Sequence, residues 1–196
     1  MVGRLGTTLA LILVSTSVGV LASGALALRD RSAPHDVYVD GDSLAVGTGW
    51  YLSSFLRHWA LHATAEVSRH AYQGVLAVEA RGGSLERVVV LDLGTNDDPS
   101  QVDRFRTYVR DVVRAAGPAR CVIWSTINRP PYNGISYDSY NRALVAAGRS
   151  HRNFHVFDWA GMARAHPEWF GPDGVHPTNT GYRQRAATLA RLIKIC

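Results

Sequence analysis

The sequence predicts an α/β fold: a three-layer α/β/α sandwich around a five-stranded parallel, flavodoxin-like sheet. Three observations carry this expectation. Short apolar runs recur along the chain, and segments with helical apolar spacing separate them. The run from Arg87 to Leu93 is almost continuously apolar, the pattern of a strand covered on both faces. The 196 residues are enough for one compact domain and too few for two of ordinary size. Strand and helix alternating at this spacing build βαβ units, whose parallel strands need helices on both faces of the sheet.

Taken in order, the chain opens with a positive charge at Arg4 and carries no further charged residue until Arg29. An apolar stretch, Leu9 to Val14, and the small-residue sequence Ala25-Leu26-Ala27 lie between them. Residues 1–28 are therefore expected to be a signal peptide cleaved after Ala27, or an uncleaved membrane anchor, since about 20 uncharged residues can cross a bilayer. Either reading places the remainder outside the cytoplasm, secreted or anchored. Residues 29–36 are a polar linker with Pro34, and 37–196 are the folded domain. Val37-Tyr38-Val39 is the first strand, ending at Gly41. A helix is expected over 44–60, with Leu44, Tyr51, Leu52, Phe55 and Trp59 near helical spacing. Ala63 to Val67 is a weak second strand, and Arg87 to Leu93 the third and strongest. A helix over 100–116 stops at Gly117-Pro118. Cys121 to Trp124 is the fourth strand, followed by a loop with Arg129-Pro130-Pro131 and a helix near 136–150. Phe154 to Phe157 is the fifth. A short helix, a Gly/Pro-rich loop at 171–177 and a helix over 178–193 complete the chain.

The formal net charge is +5, almost entirely arginine, because Lys194 is the sole lysine. The arginines are scattered singly, with no basic helix, RNA-binding signature or zinc-finger spacing, so nucleic acid is not an expected partner. Weak attraction to anionic cell-wall polymers or lipids stays open. Cys121 and Cys196 either pair in an oxidising compartment or remain two thiols. Closing so long a loop would contribute roughly 4 kcal/mol by chain entropy.

In parallel sheets of this kind, ligands bind beyond the carboxyl ends of the strands. Three loops on that edge carry chemistry-bearing residues. Gly41-Asp42-Ser43-Leu44 puts a serine hydroxyl at a strand-to-helix turn, near backbone N–H groups suited to developing negative charge. Ser and Asp are equally good helix caps, so this turn alone decides nothing. Gly94-Thr95-Asn96-Asp97 offers the Asn96 amide as a donor to an oxyanion, though the same residues favour a plain turn. Asp173-Gly174-Val175-His176-Pro177 presents a base and a carboxylate three residues apart. A turn with an incidental histidine is the alternative. Together the three motifs, in chain order and on one edge, define a serine nucleophile, an oxyanion donor and a base with its orienting carboxylate.

These motifs resemble those of the SGNH, or GDSL, hydrolase superfamily, over roughly residues 37–195. The resemblance implies that Ser43 is the nucleophile, Asn96 an oxyanion donor, and Asp173 and His176 the rest of the triad. The second block departs from the family pattern. Where the family has a glycine whose N–H joins the oxyanion hole, this chain has Ser68, in Val67-Ser68-Arg69-His70. Gly74 falls about a turn later, and a backbone donor does not require glycine. Segments such as Ser125 to Pro130 and Asp158 through Phe170 look like the SGNH domains attached to membrane acyltransferases that O-acetylate cell-wall glycans.

The implied activity is hydrolysis of acyl or acetyl esters, small or borne on a glycan, through a covalent acyl-enzyme with Ser43, its own N–H, Asn96 and Ser68 around the oxyanion. No metal or organic cofactor is implied. The alternatives are O-acetyl transfer onto a cell-wall glycan and a non-catalytic cell-wall binding module. Arg69, Asn128, Arg129 and Tyr132 fall on loops at the same edge and are candidates for shaping specificity. His58 and His62, four apart in a helical pattern, are expected to be surface or packing residues rather than a metal pair. Gly47-Thr48-Gly49 lacks the third glycine of a dinucleotide loop, and the Gly-x-Ser-x-Gly elbow is absent.

Overall fold

The computed structural model describes residues 35–196, so the leader and most of the linker lie outside the described residues. Within them, five strands form one sheet: β1 (Asp36–Gly41), β2 (Ala60–Ala63), β3 (Val88–Asp92), β4 (Cys121–Ser125) and β5 (Phe154–Phe157). All pairings are parallel and the order is β2-β1-β3-β4-β5. The expected flavodoxin-like sandwich is therefore observed. Six helices cover it: α1 (Ser43–Phe55), α2 (Ala71–Arg81), α3 (Val102–Ala116), α4 (Asp138–Ser150), α5 (Trp159–Ala165) and α6 (Asn179–Ile195).

The central strand shows why the layers form. Side chains alternate across a strand, so Val89 and Leu91 enter one core with residues of α2, α3 and α4. Val88 and Val90 enter the other, with α1, α5 and α6. Every β3 residue is buried, as its apolar run requires. Strand order reverses direction between β1 and β3, and in such sheets the crevice for a ligand opens at the carboxyl ends of those two strands.

The bounds of two expected elements are corrected and one helix is added. The helix expected over 44–60 stops at Phe55. Leu56 turns inward and its N–H reaches back to the carbonyls of Leu52 and Ser53, while Trp59 belongs to the following turn and meets His35 edge-on. His58 and His62 thus do not share a helix. His62 lies on β2 and pairs with Glu86. The second strand is Ala60–Ala63 rather than Ala63–Val67, with Val67 64% exposed. This edge strand is mostly solvated, so hydropathy does not mark it. The stretch beyond it still donates to β1, from Thr64 N to Val39 O and from Glu66 N to Gly41 O. Finally, α2 is a helix that the apolar pattern does not announce. It packs through small residues, Ala71 and Gly74, besides Val75 and Val78.

Cys121 and Cys196 form a disulfide, with Cα atoms 5.7 Å apart, joining the start of β4 to the end of the chain. Their sulfurs and His155 lie together, but the bond leaves neither sulfur free as a thiolate. Among the described residues no helix is long and apolar enough to cross a membrane.

Candidate active site

The Gly41-Asp42-Ser43 turn has a separate task for each residue. A Cβ on Gly41 would stand 2.3 Å from Ala45 Cβ and 2.8 Å from Asp92, so only glycine lets β1 run this close to β3 and the helix. Asp42 donates its N–H to Asp92 O at 3.0 Å and caps α1, its Oδ1 accepting from Leu44 N at 2.9 Å. The capping duty thus falls to Asp42, which leaves the Ser43 hydroxyl free. That hydroxyl meets His176 Nε2 at 2.8 Å.

His176 is held by its own loop. Its Nδ1 lies 2.7 Å from Asp173 Oδ2, while Asp173 Oδ1 accepts from the N–H groups of Val175 (2.9 Å) and His176 (3.0 Å). The hydrogen bond from His176, then the two backbone donors, lower the Asp173 carboxyl to about 2. An ionised carboxylate only accepts, so we assign the imidazole proton to Nδ1, which leaves Nε2 as an acceptor toward Ser43. The loop is closed by Gly171 N to His176 O (3.0 Å) and by Thr178 N to Trp169 O (2.6 Å), and Thr178 caps α6.

Asn96 follows β3 on the same edge. Its Nδ2 donates to Arg69 O at 3.2 Å, and its Oδ1 accepts from Arg129 Nη1 at 3.4 Å. One hydrogen of the amide is thereby spent and the other is left for a ligand. Its neighbour Asp97 serves the fold, accepting from Ala71 N at the start of α2 at 2.9 Å. Burial raises the Asp97 carboxyl, opposed by that N–H and by His70. Ser43, Asn96 and His176 line a common cavity of 350 Å³ together with Thr95, Arg129 and Tyr132.

Ser68 reaches the same edge, one residue from the carbonyl that Asn96 binds. It adopts a left-handed conformation (φ 64°), one that glycine enters freely and serine seldom does. The backbone at this position is thus the kind that a family glycine would favour. Gly74 is elsewhere, inside α2, where a Cβ would strike Leu93. The 66–69 segment is pinned by Arg69, whose Nη1 reaches the buried Asp40 Oδ1 at 2.9 Å.

Beneath Ser43 is a buried polar cluster that the motifs do not reveal. Arg185 of α6, fully buried, donates to Asp92 Oδ1 at 2.7 Å and to Thr48 Oγ1 at 3.1 Å, and lies 4.8 Å from the centre of the Trp159 ring. Asp42 shares this environment. Burial, then the neighbouring Asp92 charge, pushes its carboxyl up to about 7. An arginine in a terminal helix ordinarily faces water. The one signal in the sequence is its place on the buried stripe with Ala186 and Leu189.

Residues 27–184 match the model of the GDSL-like Lipase/Acylhydrolase family. "Putative O-acetyltransferase SACOL0978" of Staphylococcus aureus is 31% identical over 141 residues, covering 69% of this chain and 21% of that protein. "Putative peptidoglycan O-acetyltransferase YrhL" of Bacillus subtilis is 28% identical over 165 residues, covering 81% of this chain and 24% of that protein. This chain therefore spans under a quarter of the length of the curated relatives it matches. Among solved structures, the C-terminal catalytic domain of peptidoglycan O-acetyltransferase A from Streptococcus pneumoniae superposes with a TM-score of 0.70 at 19% identity, covering 83% of this chain and 94% of that one. The esterase EstA from Pseudoalteromonas gives 0.63 at 15% identity, covering 82% and 97%. At these identities the structural likeness speaks for the fold, and the sequence match supplies the family: the chain belongs to the GDSL-like lipase/acylhydrolase family.

Proposed function

We propose that this protein is a serine esterase that hydrolyses acyl esters, acetyl esters foremost, through a covalent intermediate on Ser43. The observation that carries the reading is the continuous hydrogen-bonded relay Asp173–His176–Ser43, which opens into a cavity shared with Asn96. His176 Nε2 takes the Ser43 proton as Oγ attacks the ester carbonyl, and Asp173 stabilises the imidazolium that forms. The oxyanion is held by the unspent hydrogen of Asn96 Nδ2, the Ser43 N–H at the start of α1, and the Ser68 N–H. His176 then protonates the departing alcohol. Water, deprotonated by the same imidazole, attacks the acyl-enzyme and releases the acid. The chemistry calls on no metal or organic cofactor.

A second reading, O-acetyl transfer, is favoured by the relatives that bear the name O-acetyltransferase. It uses the same acyl-enzyme and replaces water with a glycan hydroxyl. The disulfide supports a place in an oxidising compartment, outside the cytoplasm, with the leader as signal peptide or anchor and the cell wall as surroundings.

The test is acetate release from a small acetyl ester, with and without a glycan acceptor. Hydrolysis without acceptor, lost in Ser43→Ala while the fold survives, is the expected result. Acetyl appearing on the acceptor in place of free acetate would favour transfer. Turnover in Ser43→Ala equal to wild type would refute both.

A further inference from the structure

We infer that Asn128 and Arg129, consecutive residues in the loop after β4, form a brace that sets the Asn96 amide and the His176 imidazole in position around Ser43. The two loops that meet there come from different parts of the chain, 94–97 after β3 and 171–177 before α6. Among the described residues no hydrogen bond joins these loops directly. The β4–α4 loop reaches both. Asn128 Nδ2 donates to Gly174 O at 3.1 Å, between Asp173 and His176. Arg129 Nη1 donates to Thr95 O at 2.5 Å and to Asn96 Oδ1 at 3.4 Å.

The brace is itself anchored. Asn141 of α4 exchanges two hydrogen bonds with Ile127, at 2.7 and 2.9 Å, and Thr126 N donates to Phe157 O at 2.9 Å. Pro130 and Pro131 stiffen the chain on the other side of it. Tyr137 already holds the backbone of the 94–97 loop, donating to Thr95 O at 3.2 Å and Asp97 O at 3.0 Å. What Arg129 adds is the orientation of the Asn96 side chain. A guanidinium has donors only, so it selects the oxygen end of the amide, while the Arg69 carbonyl selects the nitrogen end. The amide is thereby held with its second N–H available. Arg129 and Asn128 are positioning residues, acting through Asn96 and His176 respectively.

The kinetic part of this inference rests on the esterase reading. Its orientational part does not. On the full chain, Arg129→Met is expected to lower kcat for p-nitrophenyl acetate about tenfold, with KM within about twofold. In an Asn96→Ala background the same change should cost less than about twofold, because the group it orients is gone. Arg129→Lys should recover part of the rate. Asn128→Ala should cost a similar factor in both Asn96 backgrounds. In ¹⁵N-labelled chain, the Asn96 side-chain amide resonances should move toward free-asparagine positions in Arg129→Met. For Arg129→Met, an equal loss in both backgrounds, a loss wholly in KM, or unchanged Asn96 amide resonances would overturn the brace, as would an Asn128→Ala variant with wild-type kcat. If the wild-type chain turns over no ester, the esterase reading fails, and the resonances alone decide the brace.

Discussion

Two aspartates a few residues from the reactive atoms have opposite chemistry. Asp173 sits in a solvent-facing loop and is lowered to about 2, first by the His176 hydrogen bond and then by backbone N–H groups. Asp42 lies within the Gly41-Asp42-Ser43 turn and is raised to about 7 by burial and by Asp92. Local donors dominate in the first place and desolvation in the second. On the proposed mechanism, the charge that the chemistry needs is kept where water and N–H groups stabilise it. The buried acid is shut away from solvent and shapes the turn that presents Ser43.

The contrast can be tested from either side. The largest effect is expected at Asp173. Asp173→Asn keeps the shape but removes the charge that fixes the imidazole, and acetate release should fall about 10⁴-fold with little change in Tm. Next is the buried side. Arg185→Met leaves Asp92 buried without its partner, and urea unfolding should show a loss of about 3–5 kcal/mol. The surviving folded fraction should keep its activity, since Arg185 lies outside the cavity. Asn96→Ala removes a proposed oxyanion donor and should lower kcat about 10²- to 10³-fold.

The smallest effect concerns pH. The folded state of Asp42 binds its proton more tightly than the unfolded chain does, so its contribution to stability falls as pH rises from about 4 to about 7 and is level above that. Asp42→Asn keeps an oxygen to cap Leu44 and cannot titrate, so Tm should fall less between pH 5 and 8 than in the wild type. An identical slope would remove Asp42 from the account. Asp173 works with the opposite sign: its charge persists throughout that range and is lost only as pH falls toward 2. Loss of the Asp173 charge therefore sets no limit on activity between pH 5 and 8.

Legibility in the sequence divides along the same line. β3 is plain because a strand buried on both faces must be apolar throughout. β2 is hard to place because an edge strand buries little, and α2 is silent because two of its four buried residues, Ala71 and Gly74, are small. The residues of the relay are legible because they fall in two short loop motifs, 41–44 and 173–177. Arg185 is not, because its partners Asp92 and Thr48 lie 93 and 137 positions away. Ser68 is legible as a departure from the glycine pattern, but its left-handed backbone is not, since no side-chain preference announces it.

The disulfide turns part of the chain into a ring. Cys121 and Cys196 are 75 positions apart, and the segment between them carries the Asn128–Arg129 loop, Asp173 and His176. That segment is covalently closed and hung from β4. Within it, the tight turn at Asn133-Gly134 projects from the active edge with Tyr132 and Ile135 exposed. A protease that cut this turn would open the ring without releasing a fragment. The nicked protein would keep its mass, apart from one added water, until a reductant separated two pieces, one ending near Asn133 and the other carrying the whole Asp173–His176 loop.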